Sequence, residues 1–244
     1  MGWTLRPQAV GVWVKIPAVE VVEVLAAAGV DFVVIDREHG AIDLHTMTTQ
    51  LAVARALGLP AFVRVPAAVL AEVQPALDAG ASGVFLPHID DAAIARAAVD
   101  VCRFPPVGHR HGSPTTRAGD WGSIGMAELV RRGNEQVMVV AQIETPQAVT
   151  NIDDIAGVGG LDALFIGPFD LSLSSGRSVD HPDFIAMVSR VEDSARMKIP
   201  LGGAAHGHDA ARRLEARGYD FTMIGADTTL LGDSARVPSA GRQS

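Results

Sequence analysis

The sequence predicts an α/β protein in which eight parallel strands close into a single-domain barrel, the (β/α)8 or TIM barrel. The chain has 244 residues, close to the roughly 250 that such a barrel takes. Short runs rich in β-branched residues alternate with alanine-rich stretches of helical period. No G-x-G-x-x-G segment follows the first strand, which argues against a doubly wound open sheet. We assign residues 1–244 to one domain and expect 233–244 to form a frayed tail.

The predicted strands are short apolar runs followed by a turn residue or a polar residue. In chain order they are Val10–Ile16, Phe32–Asp36, Ala61–Val65, Gly83–Leu86, Val137–Ile143, Ala163–Ile166, Leu201–Ala204 and Phe221–Ile224. The predicted helices between them are Val19–Ala28, Leu44–Leu57, Val69–Asp78, Ala92–Cys102, Pro146–Ile155, Phe184–Met197 and Ala210–Ala216. Gly29 and Gly58 follow the first two helices, where glycine commonly ends a helix.

One segment, Phe104–Gly122, breaks the alternation because it is rich in proline and glycine and lacks apolar periodicity. A loop of this length inside a compact domain is usually functional, and we expect it to fold over one end of the barrel. His109, Arg110 and His111 in this loop are candidates for contact with an anionic substrate. Solvated loop side chains explain them more simply.

Composition and charge exclude several classes of function. The formal charge of −8, from 20 basic and 28 acidic side chains, argues against nucleic acid as a partner. No apolar run approaches the ~18 residues of a membrane span, and no secretory signal is visible at the start. Cys102 is the only cysteine, which excludes an intrachain disulfide. We therefore expect a cytoplasmic protein without a membrane partner.

Barrel enzymes build their active sites from the loops at the carboxyl ends of the strands, so the polar residues at those ends are the candidates for catalysis and binding. They are Asp36, Arg37, Glu38 and His39 after strand two, Arg64 in strand three, His88 after strand four, Glu144 after strand five, Gly167, Pro168 and Asp170 after strand six, His206 after strand seven and Asp227 after strand eight.

Glu144 and Asp170 are the clearest candidates for metal binding. Two carboxylates on neighbouring strand ends repel each other unless a proton or a cation compensates them. Oxygen ligands favour a hard divalent ion, which leaves open positions for water and substrate. The alternative is that each carboxylate caps the helix that follows it.

Two interpretations remain open for each of two basic side chains at the same rim, Arg64 and His39. The Arg64 guanidinium either forms a structural ion pair with Asp36 or Glu144, or faces a substrate carboxylate or enolate oxygen. His39 lies in a turn that ends in glycine, where it is either an acid–base group or an ordinary surface residue. His88 and His206 are candidates for lining the pocket.

Six stretches carry a resemblance to a known family, in that family's order and over roughly residues 10 to 232. They are Asp36-Arg-Glu-His39, Val63-Arg64-Val-Pro66, Leu77-Asp78-Ala-Gly80-Ala, Phe104-Pro-Pro106, Gln142-Ile-Glu144-Thr and Ile166-Gly-Pro-Phe-Asp170-Leu-Ser. Together they resemble the metal-dependent (class II) pyruvate aldolases of the HpcH/HpaI family, which include 4-hydroxy-2-oxoheptanedioate aldolase and 2-dehydro-3-deoxyglucarate aldolase. The chain departs from the family at His88, where an apolar residue is commoner, and at His111 in the long loop.

The resemblance implies a lyase that cleaves or forms 4-hydroxy-2-oxo acids, giving pyruvate and an aldehyde through a metal-held pyruvate enolate. It places a divalent ion (Mg²⁺, Mn²⁺, Co²⁺ or Zn²⁺) on Glu144 and Asp170. Arg64 would stabilise the enolate oxygen, and His39 would act on the hydroxyl proton of the aldol. Gly167 and Pro168, with His88 and His206, would line the substrate pocket.

The family also suggests Asp78 as the partner of the catalytic histidine. The predicted topology puts Asp78 at the amino-terminal face of its own barrel, so we expect it to act in a neighbouring subunit's site. Asp36 is then the group of the same chain beside His39. A homo-oligomer, a trimer or a hexamer, follows from the same resemblance.

Four rival functions remain at this stage. An oxaloacetate-type decarboxylase shares the enolate, and an acyl-coenzyme A lyase of the same superfamily shares the metal. A Schiff-base aldolase needs a lysine in the barrel, and Lys15 is the only lysine at the correct end. A non-catalytic barrel that binds small acids belongs to a different class, and it would leave the clustered charges without a role.

Overall fold

The computed structural model describes residues 6–66, 70–196 and 198–237, and it confirms the predicted barrel. Eight strands close in chain order, and each pairs in parallel with its neighbours. They are β1 (Ala9–Val14), β2 (Phe32–Asp36), β3 (Ala61–Arg64), β4 (Gly83–Leu86), β5 (Met138–Ile143), β6 (Ala163–Ile166), β7 (Leu201–Ala204) and β8 (Phe221–Ala226). All carboxyl ends therefore meet at one rim, which we call the mouth.

Helices surround the barrel. They are α1 (Val19–Ala27), α2 (Leu44–Ala56), α3 (Val73–Asp78), α4 (Ala92–Cys102), α5 (Met126–Glu135), α6 (Pro146–Thr150), α7 (Ile152–Ala156), α8 (Pro168–Ser175), α9 (Pro182–Ala195), α10 (His208–Ala216) and α11 (Asp227–Ser234). Two 3₁₀ segments, Leu70–Glu72 and Arg117–Gly122, lie before α3 and before α5. No helix within the described residues is long and apolar enough to cross a membrane.

Several predicted boundaries change in the structure. The predicted first strand continued to Ile16, whereas β1 ends at Val14 because the Asp227 carboxylate takes the N–H groups of Lys15 and Ile16. The predicted helix Pro146–Ile155 is divided at Asn151 into α6 and α7. The helices α5, α8 and α11 were not predicted. Asp233, the first residue of the predicted tail, belongs to α11. Val69, Met197 and residues 238–244 lie outside the described residues.

Aromatic side chains fill the interior of the barrel. Ring centroids of Trp13, Phe32, Phe62, Phe85, Phe165 and Phe221 lie 5.5–6.3 Å apart, mostly edge to face. Glycines make room for them: an added Cβ would lie 2.4 Å from the Phe32 ring at Gly11 and 2.1 Å from the Phe221 ring at Gly202. This aromatic floor closes the barrel beneath the mouth. A second, aliphatic cluster packs the outer face of the sheet against the helices.

Candidate active site

The Arg64 guanidinium is fixed at the mouth by a two-point ion pair. Arg64 and Asp36 are the last residues of neighbouring strands and lie opposite each other in the register. Nε and Nη2 of Arg64 donate to the two Asp36 oxygens at 2.9 and 2.6 Å. The guanidinium carbon also lies 4.4 Å from the centre of the Trp13 ring, in a cation–π arrangement. The structure thus shows the ion pair with Asp36, one of the two partners that the sequence left open.

The Asp36 carboxylate is buried and held in its charged form. Burial acts to raise its pKa, but the hydrogen bond and charge of Arg64, the His39 backbone N–H and the Lys15 charge together lower the pKa below its ordinary value. Oδ1 accepts the backbone N–H groups of Glu38 and His39, each at 3.1 Å. The same carboxylate therefore orients Arg64 and shapes the turn that carries His39.

Glu38 and Lys15 extend this charged group. A Glu38 oxygen lies 3.4 Å from Arg64 Nη1 and 3.7 Å from His39 Nε2. Burial raises the pKa of Glu38, and the charges of Arg64 and His39 offset part of that shift. Lys15 Nζ lies 3.5 Å from Asp36 Oδ2, and its side chain is 29% exposed. The sequence named Glu38 only as one of the polar residues at the strand ends and Lys15 only as a possible Schiff-base lysine, and it indicated neither ion pair.

Glu144 lies at the mouth directly after β5, two strands along the barrel from Arg64 in β3. Its Oε1 accepts the His88 backbone N–H at 2.7 Å, and its Oε2 accepts a Gln142 side-chain N–H at 3.0 Å. Burial raises the pKa of Glu144, and the charges of Asp170 and Glu38 raise it further, while His88 offsets part of the shift. His88 adopts a left-handed conformation, with φ 53°, and its Nδ1 lies 3.5 Å from Oε1.

Asp170 lies in the first turn of α8, next to Glu144. Gly167 precedes the helix, and Pro168 occupies its first turn. A Cβ at Gly167 would lie 3.2 Å from Glu144 Oε2, so the absence of a side chain there lets the backbone approach that carboxylate. The first turn of a helix also has N–H groups without intrahelical partners. Carboxylates and free N–H donors therefore lie together at this side of the mouth.

The donor set at this side fits a hard divalent ion. No group of three or more His, Cys, Asp or Glu side chains is arranged for a metal within the described part of the chain. A site with two carboxylates, completed by water and substrate, is common for Mg²⁺ and similar ions. The raised pKa of Glu144 marks a buried charge that lacks compensation, and Gln142 Oε1 is a buried acceptor without a hydrogen-bond partner among the described residues. A cation between Glu144 and Asp170 would relieve this imbalance.

The histidines named from the sequence occupy different settings. The His39 side chain is 53% exposed at the mouth. His206 follows β7, and its Nε2 lies 2.9 Å from an Asp233 oxygen. In the long loop, His109 Nδ1 lies 2.7 Å from an Asp100 oxygen, and His111 is exposed. The structure therefore gives His206 and His109 surface carboxylate partners.

Asp78 lies away from the mouth, as its chain position before β4 predicted. It is the last residue of α3, and its oxygens accept from Arg110 Nη2 at 3.0 Å and from the Gln74 amide at 2.7 Å. Within the chain, Asp78 pairs with the loop arginine, and His39 pairs with Glu38.

Gln142 is a further residue that the sequence analysis passed over, although a signal was present. Gln142 lies two residues before Glu144, and alternate residues of a strand share a face. A polar side chain inside the otherwise apolar run Met138–Ile143 was the sign of a second polar group beside Glu144.

Comparison with known proteins places this geometry in a family. The model of the HpcH/HpaI aldolase/citrate lyase family matches residues 9–234. A hydroxypyruvate/pyruvate aldolase from Deinococcus radiodurans is 34% identical over 240 residues, which cover 96% of this chain and 85% of the relative. A 4-hydroxy-2-oxo-heptane-1,7-dioate aldolase from Escherichia coli is 34% identical over 243 residues, with 96% and 90% covered.

A solved structure agrees with these relatives. The crystal structure of an HpcH/HpaI aldolase/citrate lyase family protein from Burkholderia cenocepacia superposes with a TM-score of 0.87 at 33% identity, over 94% of this chain and 91% of that chain. The family match over residues 9–234 includes all eight strands of the barrel. The chain therefore belongs to the HpcH/HpaI aldolase/citrate lyase family and is a carbon–carbon lyase.

Proposed function

We propose that this lyase is a divalent-metal-dependent aldolase that interconverts a 4-hydroxy-2-oxo acid with pyruvate and an aldehyde. The observation that supports it most is the arrangement of the mouth, where the Arg64 guanidinium, held by Asp36, shares one rim with the Glu144 and Asp170 carboxylates. The names of the relatives, both aldolases, support the same reaction class. The metal requirement rests on the fit of Glu144 and Asp170 to a hard divalent ion.

Each polar group at the mouth has its own role in the proposed reaction. Glu144 and Asp170 would hold the ion, which acts as a Lewis acid toward the keto oxygen of the substrate. The first turn of α8, after Gly167 and Pro168, would bind the substrate carboxylate through its free N–H groups. Arg64 would stabilise the negative charge that develops on the keto oxygen, because its guanidinium is already fixed before the reaction begins.

Proton transfer is assigned to His39. Cleavage of the bond between carbons 3 and 4 requires removal of the 4-hydroxyl proton, and an exposed imidazole at the mouth is suited to act as the general base. Asp36 holds the turn of His39 through the backbone N–H, so it acts as a positioning residue for both Arg64 and His39. His88 and His206 would lie at the entrance to the pocket. The cytoplasmic location and the homo-oligomer stay predictions.

The test is pyruvate release from a panel of 4-hydroxy-2-oxo acids, with and without a chelator. For Glu144→Gln we expect a loss of at least about a hundredfold, because several kcal/mol of charge stabilisation depend on the ion. The matched control is Glu215→Gln, an exposed carboxylate on α10, which should retain wild-type activity. Without metal, Glu144→Gln should unfold at a higher temperature than the wild type, because the variant removes a buried uncompensated charge.

Each outcome has a distinct meaning. Chelator-sensitive aldol cleavage that fails only in Glu144→Gln supports the proposal. Pyruvate from oxaloacetate without any aldol cleavage would assign decarboxylation instead. Release that is indifferent to chelator and to the substitution would contradict the metal site, and borohydride trapping of pyruvate on Lys15 would then identify a Schiff-base enzyme.

A further inference from the structure

A cavity that the proposed reaction does not use lies at the opposite end of the barrel from the mouth. Its volume is about 300 Å³, and its wall includes Ser82 and Val137, the residues that immediately precede β4 and β5. The wall also includes the side chains of Arg55, Arg110 and Arg132. No carboxylate occurs among the described residues that line it. The carboxylates that bind these guanidinium groups lie outside the wall: Asp78 binds Arg110, Asp120 binds Arg55 and Arg132, and Glu128 also binds Arg132.

Arg110 is the most confined of the three arginines. Its side chain is 1% exposed, and its guanidinium carbon lies 4.4 Å from the centre of the Phe104 ring. Nη2 donates to Asp78, but Nε is buried and has no acceptor among the described residues. A buried donor without a partner costs about 1–3 kcal/mol, and more when the group is charged. Arg110 Nε is therefore a buried donor to which an anionic ligand could supply the acceptor.

The pKa of Arg110 agrees with this geometry. Burial lowers the pKa of this guanidinium, and the hydrogen bond and charge of Asp78 offset only part of the effect. One carboxylate is therefore not enough to compensate the buried cation. A second negative charge in the cavity would complete the compensation.

Arg55 and Arg132 form the rim of the cavity and share the Asp120 carboxylate, and Arg132 Nε also donates to Glu128 Oε1 at 2.7 Å. Asp120 accepts from Arg55 through one oxygen and from Arg132 through the other, the latter at 2.8 Å. Asp120 and the adjacent Trp121 both have left-handed backbones, with φ 49° and 56°. Two consecutive non-glycine residues in this conformation store strain, and such strain is concentrated at ligand clamps and functional sites.

We propose that this cavity is a binding site for a small molecule that bears a carboxylate or phosphate group. The oxyanion accepts from Arg110 Nε, and the guanidinium groups of Arg55 and Arg132 enclose it from the rim. Planar guanidinium groups suit both oxyanions, because each presents paired N–H donors to two oxygens. Within one chain this cavity lies at the opposite end of the barrel from the mouth, and the proposal does not depend on the proposed reaction.

The experiment is calorimetric titration of the full chain with inorganic phosphate and, separately, with citrate, at constant ionic strength. Saturable binding of either anion is expected, together with a rise in the thermal unfolding midpoint. Binding of phosphate alone identifies a phosphate-bearing ligand, and binding of citrate alone identifies a carboxylate-bearing one. Absence of saturable binding for both anions overturns the proposal.

Substitutions test whether phosphate or citrate binds in this cavity. Arg110→Met should abolish it, and Gln136→Glu should weaken it by about tenfold or more, because it places a carboxylate of the same shape among the lining side chains. Gln136 lies at the end of α5 and is partly exposed, so this variant is expected to fold even where Arg110→Met does not. Arg212→Gln, an exposed arginine of α10, is the matched control and should bind as the wild type does.

A variant at the mouth excludes the other anion-binding region. Arg64→Gln should retain the phosphate or citrate affinity of the wild type. Loss of binding in Arg64→Gln with full binding in Gln136→Glu would place the anion at the mouth and overturn the proposal. Retention of activity toward 4-hydroxy-2-oxo acids is measured separately, so failure of this site and failure of the proposed function are distinguishable.

Discussion

At the scale of single residues, Asp36 joins the stability of the mouth to its chemistry. Its buried carboxylate accepts two N–H groups from Arg64 and two backbone N–H groups from the turn after β2. An arginine cannot release its proton to escape burial, so the guanidinium at this position depends on its carboxylate. Loss of the carboxylate therefore has structural and catalytic effects together.

We expect Asp36→Asn to lower the free energy of unfolding by about 3 kcal/mol near pH 7, because it leaves a buried guanidinium without its counter-charge. The folded-state pKa of Asp36 is lowered, so its stabilising effect is present above its ordinary pKa of 3.8 and is lost as the pH falls through the lowered value. The difference in the free energy of unfolding between Asp36→Asn and the wild type should become smaller as the pH falls over that interval. Denaturant unfolding at a series of pH values measures it.

The control for this prediction is Asp209→Asn, which removes a carboxylate from an exposed ion pair with Arg212 and should leave stability unchanged. The difference in the free energy of unfolding between Asp36→Asn and the wild type could instead stay constant down to the lowest pH at which both fold. That result would show that the charge of Asp36 is not what stabilises Arg64.

The positions of Glu144, Asp170 and Arg64 could be predicted because each follows or ends an apolar run, and parallel strands bring those ends to one rim. Which partner Arg64 takes could not be predicted. Asp36 and Glu144 were both available at the rim, and the register of β2 against β3 selects Asp36. The contacts of Glu38 and Lys15 with Arg64 and Asp36 were missed because they depend on the path of short turns.

At the scale of the element, the ends of strands and helices were harder to predict than their existence. Lys15 and Ile16 continue the β-type pattern of β1, but Asp227 at the start of α11 accepts their N–H groups and ends the strand. α5 was missed because most of its residues are polar or charged and it buries only Leu129 and Gly133, so no apolar run marks it. A local sequence pattern does not show that a distant side chain competes for the backbone N–H groups of a strand. It also does not identify a helix that buries few residues.

The turn after β4 carries an element-scale prediction about His88. Its left-handed backbone presents the N–H to Glu144, a conformation that suits glycine or asparagine and strains a β-branched residue. We expect His88→Gly to keep the stability of the wild type, and His88→Val to lose about 1–2 kcal/mol. His88→Val should also bind divalent ions more weakly than His88→Gly. Unfolding and metal titration measure the two effects.

Both His88 variants lack the imidazole, so the comparison between them isolates the backbone conformation. His88→Asn is a third point, which should resemble His88→Gly. Equal metal affinity in the glycine and valine variants would show that the left-handed turn does not position Glu144.

At the scale of the whole molecule, the two ends of the barrel hold different charged groups. His39 lies at the mouth, whereas Asp78 closes α3 at the other end and pairs with Arg110. For Asp78 to act with His39, as the family resemblance implies, the two must come from different subunits. A closed symmetric oligomer would bring opposite ends of neighbouring barrels together.

We expect inactive His39→Ala and Asp78→Asn proteins to regain activity when their subunits are mixed. If each site takes one residue from each of two subunits, random assembly at equal amounts restores about a quarter of the sites. Pyruvate release before and after subunit exchange measures this. Asparagine is used because it retains a hydrogen-bond acceptor for Arg110.

The control is each variant taken alone through the same exchange procedure, which should remain inactive. No recovery in a mixture shown to contain mixed oligomers would confine catalysis to a single chain and remove Asp78 from the site.

The aromatic floor has a consequence for how such a chain can diversify. Trp13 and the five phenylalanines pack against one another in the interior of the barrel, and Arg64 stacks on Trp13 from the mouth. Mutations in the loops can therefore accumulate while the strands keep their register, so an inherited scaffold tolerates new specificities at little cost in folding. Relatives at about one-third identity, named for hydroxypyruvate in one case and for a heptanedioate in another, are what such separable evolution produces.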